Sequence, residues 1–297
     1  MSITIDYKNK KDVTFYVNDL KYKKDRAIDI NYLKNTAFKK LIEEDMDTLN
    51  YRLKECQKNG GDNLDISHLD LKELPKNLPK QLKYLFCSNN NLKKIDNLEY
   101  LSNLIVFDCA NNSLQELPKL SNTIIEVMCK YNELTNIDNL KNNINLQRID
   151  CSYNQINKIP SMNNLEILIC NNNKINTINP IKNLKKLYCR NNQLIEISNF
   201  NNLLELDVEK NKLKQINNMP KLKHLFCNDN QIMELDHMHN LEFIQIYNNP
   251  IQKIPYFKYL KELICDYIKD NKIDKEYKNK LNGTKLLKNK ILYLSFN

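Results

Sequence analysis

The amino-acid sequence predicts an α/β-type repeat solenoid, with a parallel β-sheet on one side and short non-helical returns, extended or 3-10 in form, on the other. Helical caps are expected at both ends. Three observations predict this class: cysteine and asparagine recur at a fixed separation, apolar residues occupy the same positions of each unit, and the units are only 19–22 residues long. With 297 residues and 41% hydrophobic content, the chain is large and apolar enough to bury a core.

The repeat is clearest around eight cysteines, seven of which are followed three residues later by asparagine. The unit beginning at Leu184 has apolar residues at its positions 1, 4, 6, 11, 14 and 17, and asparagine at position 9. Alternation at positions 4 and 6 predicts a short half-buried strand, and the three-residue spacing after it predicts a turning return. A return of about ten residues is too short for a crossover helix, so the units must stack strand against strand as a solenoid. Position 4 is occupied by Leu64, Leu85, Phe107, Val127, Ile149, Leu168, Leu187, Leu206, Leu225, Ile244 and Leu263.

An N-terminal segment, residues 1–61, precedes the repeats. A strand is expected at residues 13–17. The apolar spacing of about residues 36–58 predicts a helix, which Gly60 and Gly61 end. This helix is expected to cap the first repeat, whose inner face is otherwise uncovered.

The solenoid is predicted over residues 62–266, as ten repeats and a terminal strand, and a basic cap at residues 267–297 follows it. In that cap Ile273, Tyr277 and Leu281 stand four residues apart, which predicts a closing helix. The cap holds 8 basic and 3 acidic residues (net +5), whereas the solenoid holds 24 and 23 (net +1). The solenoid therefore offers no continuous basic stripe of the kind that nucleic acid requires.

The pattern L-x-x-L-x-L/C-x-x-N-x-L-x-x-I/L closely resembles that of the leucine-rich repeat family over residues 62–266. The earlier, longer units resemble the subtype carried by bacterial effectors. The excess of Asn, Lys, Ile and Tyr is typical of AT-rich genomes, as in some protists and giant viruses. The resemblance implies a horseshoe whose strands line the concave face, and an asparagine ladder formed by position 9.

Position 6 is cysteine in eight units and Ile66, Val208 or Ile246 in the other three. Because valine and isoleucine replace it, the position needs a small apolar group, and the cysteines are expected to be buried, reduced thiols without a metal. An asparagine at position 9 can bridge neighbouring turns, since its amide both donates and accepts. No glycine occurs between Asp62 and Asp266, so turns with positive φ are expected to use asparagine.

The candidate binding surface consists of positions 3, 5 and 7, which point away from the core because strand side chains alternate. Aromatic residues and arginine recur there, and both are enriched at protein–protein hot spots. The alternative is that aromatic residues simply favour strands. The centre is expected near Ile167, Ile169, Tyr188 and Arg190. The predicted partner-binding residues are Tyr84, Phe86, Arg148, Asp150, Ile167, Ile169, Tyr188, Arg190, Asp207, Phe226, Phe243 and Tyr247.

The sequence predicts no catalytic, cofactor or metal site. The segment from Asp236 to His239 contains an H-x-H pattern, but it falls on the outer return between two units. Cys265 and Asp266 resemble the cysteine–aspartate motif of effector ubiquitin ligases that carry similar repeats. Cys265, however, is the position-6 core residue of the last strand, and the 32 residues after it are too few for a ligase domain.

The leading functional hypothesis is a non-catalytic scaffold, expected to be a monomer, that binds a protein or peptide on the concave face. One alternative is an adaptor, of the ubiquitin-ligase or host-interaction type, that docks through its N-terminal segment or basic tail. Another, less favoured by the charge, is binding of nucleic acid or an anionic surface. No apolar run predicts a membrane span or a signal peptide. A reducing, cytoplasmic location is expected, in a host cell if the source is viral.

Overall fold

The computed structural model falls into two units, Met1–Tyr51 and Arg52–Asn297. In the first unit, strands β1 (Ile3–Asn9) and β2 (Asp12–Val17) form an antiparallel hairpin. Strand β2 includes the strand expected at residues 13–17. The structure describes residues 3–9, 12–17, 48–197, 199–266, 275–278, 281–286 and 291–296.

Helix α1 (Leu49–Lys58) begins in the first unit and ends in the second. It forms the second half of the predicted capping helix, whose residues 36–47 lie outside the described part of the chain. Gly60 and Gly61 end the helix with φ of 94° and 73°. The Gly61 N–H donates to the carbonyl oxygen of Cys56 at 2.8 Å, which satisfies one of the helix's last carbonyls.

The second unit is a solenoid whose stacked strands form one sheet, and eleven of those strands are parallel. Each parallel strand contains position 4 of a repeat, and neighbouring strands pair in register at that position, as Leu64 does with Leu85. This confirms the predicted fold class. The parallel strands are β3 (Asn63–Asp65), β4 (Tyr84–Phe86), β5 (Val106–Asp108), β6 (Glu126–Met128), β7 (Arg148–Asp150), β8 (Ile167–Ile169), β9 (Lys186–Tyr188), β10 (Glu205–Asp207), β12 (His224–Phe226), β14 (Phe243–Gln245) and β15 (Glu262–Asp266).

The returns on the other side of the solenoid are short and largely extended, as the repeat length predicts. Strands β11 (Gln215–Ile216) and β13 (Glu234–Leu235) form a parallel pair there, and a 3-10 turn spans Asp138–Leu140. Single bridges join further returns, one of them between Leu98 and Leu120. Each return thus contributes its own backbone hydrogen bonds to the stack.

The cysteines of position 6 form a column of free, buried thiols in the core. Burial raises the pKa of Cys109 and Cys170 well above its ordinary value, because a thiolate cannot be solvated there. Val208 and Ile246, which replace cysteine in two repeats, are equally buried. The column therefore acts as part of the apolar core, as predicted.

The asparagines of position 9 form the expected ladder, which Asn192 illustrates. Its Nδ2 donates to the carbonyl oxygens of Cys170 and Cys189, at 3.0 and 3.1 Å, and its Oδ1 accepts from the Ile175 N–H at 3.0 Å. Each such side chain joins two successive repeats. Positive φ falls one residue earlier, at position 8, where asparagine shares the role with histidine, tyrosine, lysine and aspartate: His68, Asn89, Asn111, Tyr131, Tyr153, Asn172, Asn191, Lys210, Asp229 and Asn248.

The N-terminal edge of the sheet is closed by the guanidinium of Arg52. Its Nη1 donates to the carbonyl oxygens of Asp65 and Ser67, at 3.3 and 2.9 Å. These carbonyls belong to the first repeat, which has no repeat before it. A side chain of α1 thus takes the place of a preceding strand.

The C-terminal edge is closed by strands, and the predicted closing helix is seen in the described residues as one turn, after which Leu281 already belongs to a strand. After the short helix α2 (Lys275–Lys278) come strands β16 (Leu281–Leu286) and β17 (Ile291–Phe296). Strand β17 pairs antiparallel with all five residues of β15, and β16 pairs with β17. Pairing satisfies the edge of β15, which a helix packed on the core could not do.

Candidate functional site

Side chains at repeat positions 3 and 5, together with those of position 7 that are not buried, form one continuous surface, which we term the open face. In strand β8 the middle residue, Leu168, is fully buried, whereas Ile167 and Ile169 on either side of it are half-buried. Because the strands pair in register, equivalent residues form straight rows across the sheet, with about 4.8 Å between strands. Of the predicted binding residues, ten occupy positions 3 and 5 of this face, and Arg190 and Tyr247 occupy position 7.

The isoleucine patch, which consists of Ile167, Ile169 and Tyr188 on β8 and β9, borders a shallow depression of about 360 Å³. All three side chains are half-buried, so apolar surface remains in contact with water. The depression is also lined by polar and cationic side chains: Arg148, Asn171 and Lys186. The sequence predicts the centre of the binding surface near Ile167, Ile169, Tyr188 and Arg190, and of these four only Arg190 does not line the depression.

The aromatic patch, which consists of His224, Phe226, Phe243 and Tyr247, lies on β12, β14 and the residues after β14. The ring centroids of Phe226 and Phe243 are 5.0 Å apart, and those of His224 and Phe243 are 6.4 Å apart in an edge-to-face arrangement. The two phenylalanines and Tyr247 are half-buried, and His224 is exposed. This is a second area of accessible apolar surface on the open face.

An acidic band separates the two patches and consists of Glu205, Asp207 and Glu209, on β10 and just after it. Two of its carboxylates are paired with cations of β9 and the residues after it. Lys186 Nζ lies 3.1 Å from Glu205 Oε2, and Arg190 Nη1 lies 2.7 Å from Glu209 Oε2. The band is therefore neutralised at its two ends and not at its middle.

Asp207, the middle carboxylate, has no ion pair among the described residues. Its Oδ1 accepts a hydrogen bond from the Glu209 N–H at 3.0 Å, as Asp108 and Asp150 accept one from position 7 of their own repeats at 2.9 and 3.1 Å. One carboxylate oxygen of Asp207 therefore stabilises the turn after β10. Burial, with the negative charge of Glu209 adding to it, raises the pKa of Asp207 to about 6.

A buried polar relay behind the band was not anticipated from the sequence. Asn228 is fully buried, and its Nδ2 donates to Glu209 Oε1 at 2.7 Å, while its Oδ1 accepts from the Tyr247 N–H at 3.0 Å. Through Glu209 the relay also reaches Arg190, so it links the edge of the isoleucine patch to the aromatic patch. The sequence shows only that position 7 of this repeat is the polar residue Asn228, and asparagine is so common in the chain that this one does not stand out.

The structure brings ten of the twelve predicted residues together on β7 to β14 and leaves two apart. Tyr84 and Phe86 lie on β4, three strands from Arg148 and Asp150 of β7. Arg148 is held by an ion pair, with its Nε 2.9 Å from Glu126 Oε1. The surface with two apolar patches is therefore confined to the C-terminal half of the sheet.

Two exposed tyrosines on the turns beside the sheet were likewise not predicted from the sequence. Tyr131 and Tyr153 both occupy position 8, with φ of 55° and 56°. Their rings stack with centroids 4.2 Å apart and an interplanar angle of 13°. The spacing of 22 residues, which places them on adjacent repeats, was the signal that could have found them.

The remaining chemical motifs of the sequence do not form sites in the described residues. His237 and His239 lie with their ring centroids 4.6 Å apart, but no third His, Cys, Asp or Glu of the described chain converges with them as a metal would need. Cys265 is buried in the core column, and burial raises its pKa to about 12. None of the helices in the described ranges has the length and apolarity that a bilayer crossing requires.

A family model for leucine-rich repeats in two copies matches residues 80–122. Among solved structures, the leucine-rich effector YopM of Yersinia pestis is similar, with 22% identity, a TM-score of 0.53, and 72% of this chain and 80% of that one covered. A chain of the octameric complex of latrophilin 3, Unc5D and FLRT2, whose FLRT2 part is a leucine-rich repeat domain, gives 18% identity, a TM-score of 0.51, and 68% and 80% coverage.

The functional domain of InlJ from Listeria monocytogenes, described as including a cysteine ladder, gives 18% identity and a TM-score of 0.50. The match covers 78% of this chain and 65% of that one, so slightly less than two thirds of that domain is spanned. No curated protein sequence matches significantly. These comparisons lend no support to a viral source. With its repeated motif, asparagine ladder and stacked parallel strands, this chain has the leucine-rich repeat fold.

Proposed function

We propose that the protein is a non-catalytic scaffold that binds a protein or peptide on its open face. The observation that carries the proposal is the pair of apolar patches, which stay half-exposed on a sheet whose other side is fully buried. Covering such surface is favourable by roughly 25 cal/mol per Å² of apolar area removed from water. Aromatic anchors such as Tyr188 and Phe226 are typical of the residues that dominate binding energy at interfaces.

The fold supports the same proposal, because a solenoid presents many repeats to one ligand and varies only the exposed positions. The likeness to a bacterial effector and to a repeat domain found in a multi-protein complex agrees with it. Monomeric state, a reducing compartment and the absence of catalysis remain parts of this proposal. The free buried thiols are consistent with a reducing compartment, where they stay unpaired.

The test is affinity capture with the full chain and with single alanine variants of Tyr188, Arg190 and Phe226. Each is expected to weaken a captured protein's binding by more than about 1 kcal/mol in a subsequent titration. The matched control is Ile195→Ala, because Ile195 is an exposed apolar residue of a return, with 60% of its surface accessible. Loss of binding by the control alone, or by no variant, would show that the partner uses another surface.

A further inference from the structure

Asp207 lies at the centre of a three-by-three array of repeat positions 3, 5 and 7, with β9 on one side and β12 on the other. In the central row its neighbours are Tyr188 and Phe226, with which it pairs in register. The ionisable groups that face it from β9, from its own strand and from β12, and from the residues just after β9 and β10, are Lys186, Tyr188, Arg190, Glu205, Glu209 and His224.

The carboxylate of Asp207 is the one acidic group of this array that is left without a cation. Lys186 is engaged by Glu205 and Arg190 by Glu209, at 3.1 and 2.7 Å. Asp207 has only the Glu209 N–H on one oxygen, and it is half-buried between two rings. Its raised pKa, about 6, reports the same incomplete solvation. A group in this state gains more from an incoming cation than a fully hydrated carboxylate would.

The flanking rings favour the same type of ligand. Tyr188 and Phe226 belong to strands two steps apart, so their backbones are separated by about 9.6 Å, which leaves room for a guanidinium or ammonium group between them. Aromatic faces attract cations, and this attraction adds to a carboxylate's. An anionic ligand would be repelled by the band, and a purely apolar one would bury Asp207 unpaired.

The spacing between strands determines which residues of a bound peptide would flank the cation that pairs with Asp207. Ile169 of the isoleucine patch lies two strands from Asp207 on one side, and Phe243 of the aromatic patch lies two strands away on the other. Each pair of strands is about 9.6 Å apart, and Phe243, at position 3, also stands two residues along the strand from the row of Asp207, so an extended peptide crosses either distance in three to four residues of about 3.3 Å.

Resting on the function proposed above, we propose that the open face binds an extended peptide segment whose single arginine or lysine side chain pairs with Asp207 between Tyr188 and Phe226. An apolar residue about three positions before the cation occupies the isoleucine patch, and another about three positions after it occupies the aromatic patch, or the reverse. The ligand is thus a basic residue set between two apolar ones, and not a polybasic or acidic segment.

The test is selection of random dodecapeptides displayed on phage against the full chain, followed by titration of a fluorescein-labelled copy of the strongest binder. Selected peptides are expected to share one Arg or Lys with apolar residues about three positions to either side. Replacing that residue by its neutral analogue, citrulline for Arg or norleucine for Lys, should weaken binding at least tenfold. The Asp207→Asn variant should lose a similar factor. The control is Asp108→Asn, because Asp108 makes the same turn hydrogen bond as Asp207 but lies on β5, three strands from β8 and outside both patches. This variant should bind like the wild type.

Binding should also weaken as the pH falls, because protonation of Asp207 removes the charge that the peptide pairs with. With a pKa of about 6, the wild type should bind roughly tenfold more weakly at pH 5 than at pH 7.5, and Asp207→Asn should lack this dependence. Selected peptides that need no cation, or that are indifferent to Asp207→Asn, overturn this inference and leave the proposed function standing. Failure to select any peptide whose binding is weakened by Ile169→Ala or Phe226→Ala also overturns this inference, and the capture experiment above overturns the proposed function if no captured protein is weakened by the variants of the open face.

Discussion

Asp207 illustrates how a single residue can lower stability while preparing a surface for binding. Its folded-state pKa of about 6 is above the ordinary value of about 3.9 for the unfolded chain. Between these pH values the native state binds more protons, so this carboxylate makes the fold less stable as pH rises from about 4 to about 6. The sequence keeps a carboxylate at position 207 although its partial burial costs stability, as is common for groups that bind a ligand.

We therefore expect Asp207→Asn to raise the free energy of unfolding of the free protein at pH 7.5 by about 1–2 kcal/mol, allowing for partial solvent screening. The asparagine Oδ1 can keep the hydrogen bond from the Glu209 N–H. Urea denaturation at pH 7.5 and pH 4 measures the effect, which should nearly vanish at the lower pH. A variant that is less stable at pH 7.5 would mean that the carboxylate makes a native interaction that outweighs its desolvation.

The ladder asparagines represent the opposite case, in which one side chain stabilises two repeats. In Asn192→Ala the N–H of Ile175 loses its partner inside the solenoid. The carbonyl oxygens of Cys170 and Cys189 each lose one of two donors and keep the amide of a neighbouring ladder asparagine, Asn173 or Asn211. Since an unsatisfied buried group costs about 1–3 kcal/mol and each lost hydrogen bond adds to this, we expect a loss of about 2 kcal/mol or more by urea denaturation. Gln193→Ala is the control, because Gln193 is the exposed next residue. Equal stability of both variants would mean that water replaces the amide.

Sequence reasoning at this scale identified the ladder but not which residue of the turn takes positive φ. The asparagine of position 9 recurs because its amide is needed, and its neighbour at position 8 takes the left-handed conformation. Asparagine is common there, but Tyr131, Tyr153 and Lys210 adopt it as well. Tertiary hydrogen bonds impose the conformation, so residue preference alone could not locate it.

At the scale of single elements, the strands and rows of the open face followed from periodicity, whereas their internal pairing did not. Alternation of positions 3 to 7 predicted which side chains leave the core, and the register then aligned them. The ion pair of Arg190 with Glu209 depends on which repeat follows which, and on rotamers that a pattern does not contain. The relay through Asn228 was hidden for the same reason.

The cysteine column provides the prediction that belongs to this scale. In Cys170→Val the core position receives the residue that Val208 already places in the same column, and we expect a loss of about 1 kcal/mol or less. In Cys170→Ser a hydroxyl is buried where the thiol was fully covered, which should cost about 2 kcal/mol. Thermal unfolding of both variants checks the order. A serine variant as stable as the valine variant would indicate that the column is polar or hydrated.

The C-terminal cap shows where an element could not be assigned from spacing alone. Ile273, Tyr277 and Leu281 match a helical period, but the segment from Ile291 to Phe296 alternates as a strand does, with its even-numbered residues buried. The decisive factor was the open edge of β15, which requires backbone partners. Tyr277 still anchors its single helical turn, since its hydroxyl accepts from the Phe257 N–H at 2.7 Å and donates to the Pro255 carbonyl at 3.0 Å.

At the scale of the whole solenoid, stability depends on closing two ends that the repeats themselves leave open. Every internal repeat is covered by its neighbours, and the terminal ones need something different on one side. At the first repeat Arg52 supplies donors to free carbonyls, and at the last repeat β17 supplies a complete antiparallel partner. An unpaired β15 would present a ready template to a second chain.

The last prediction concerns this closing strand. Leu294 of β17 is buried and pairs with Leu263 of β15, whereas its neighbour Tyr293 is half-exposed. Leu294→Asp places a carboxylate in the core and should detach the strand, whereas Tyr293→Asp changes the outer side of the same strand. Because detachment exposes the edge and the apolar core beneath it, we expect Leu294→Asp to melt earlier and to self-associate in size-exclusion chromatography with light scattering. Tyr293→Asp should keep the oligomeric state of the wild type. If Leu294→Asp keeps that state too and melts with the wild type, the solenoid is stable without β17, and the repeats alone suffice to end the sheet.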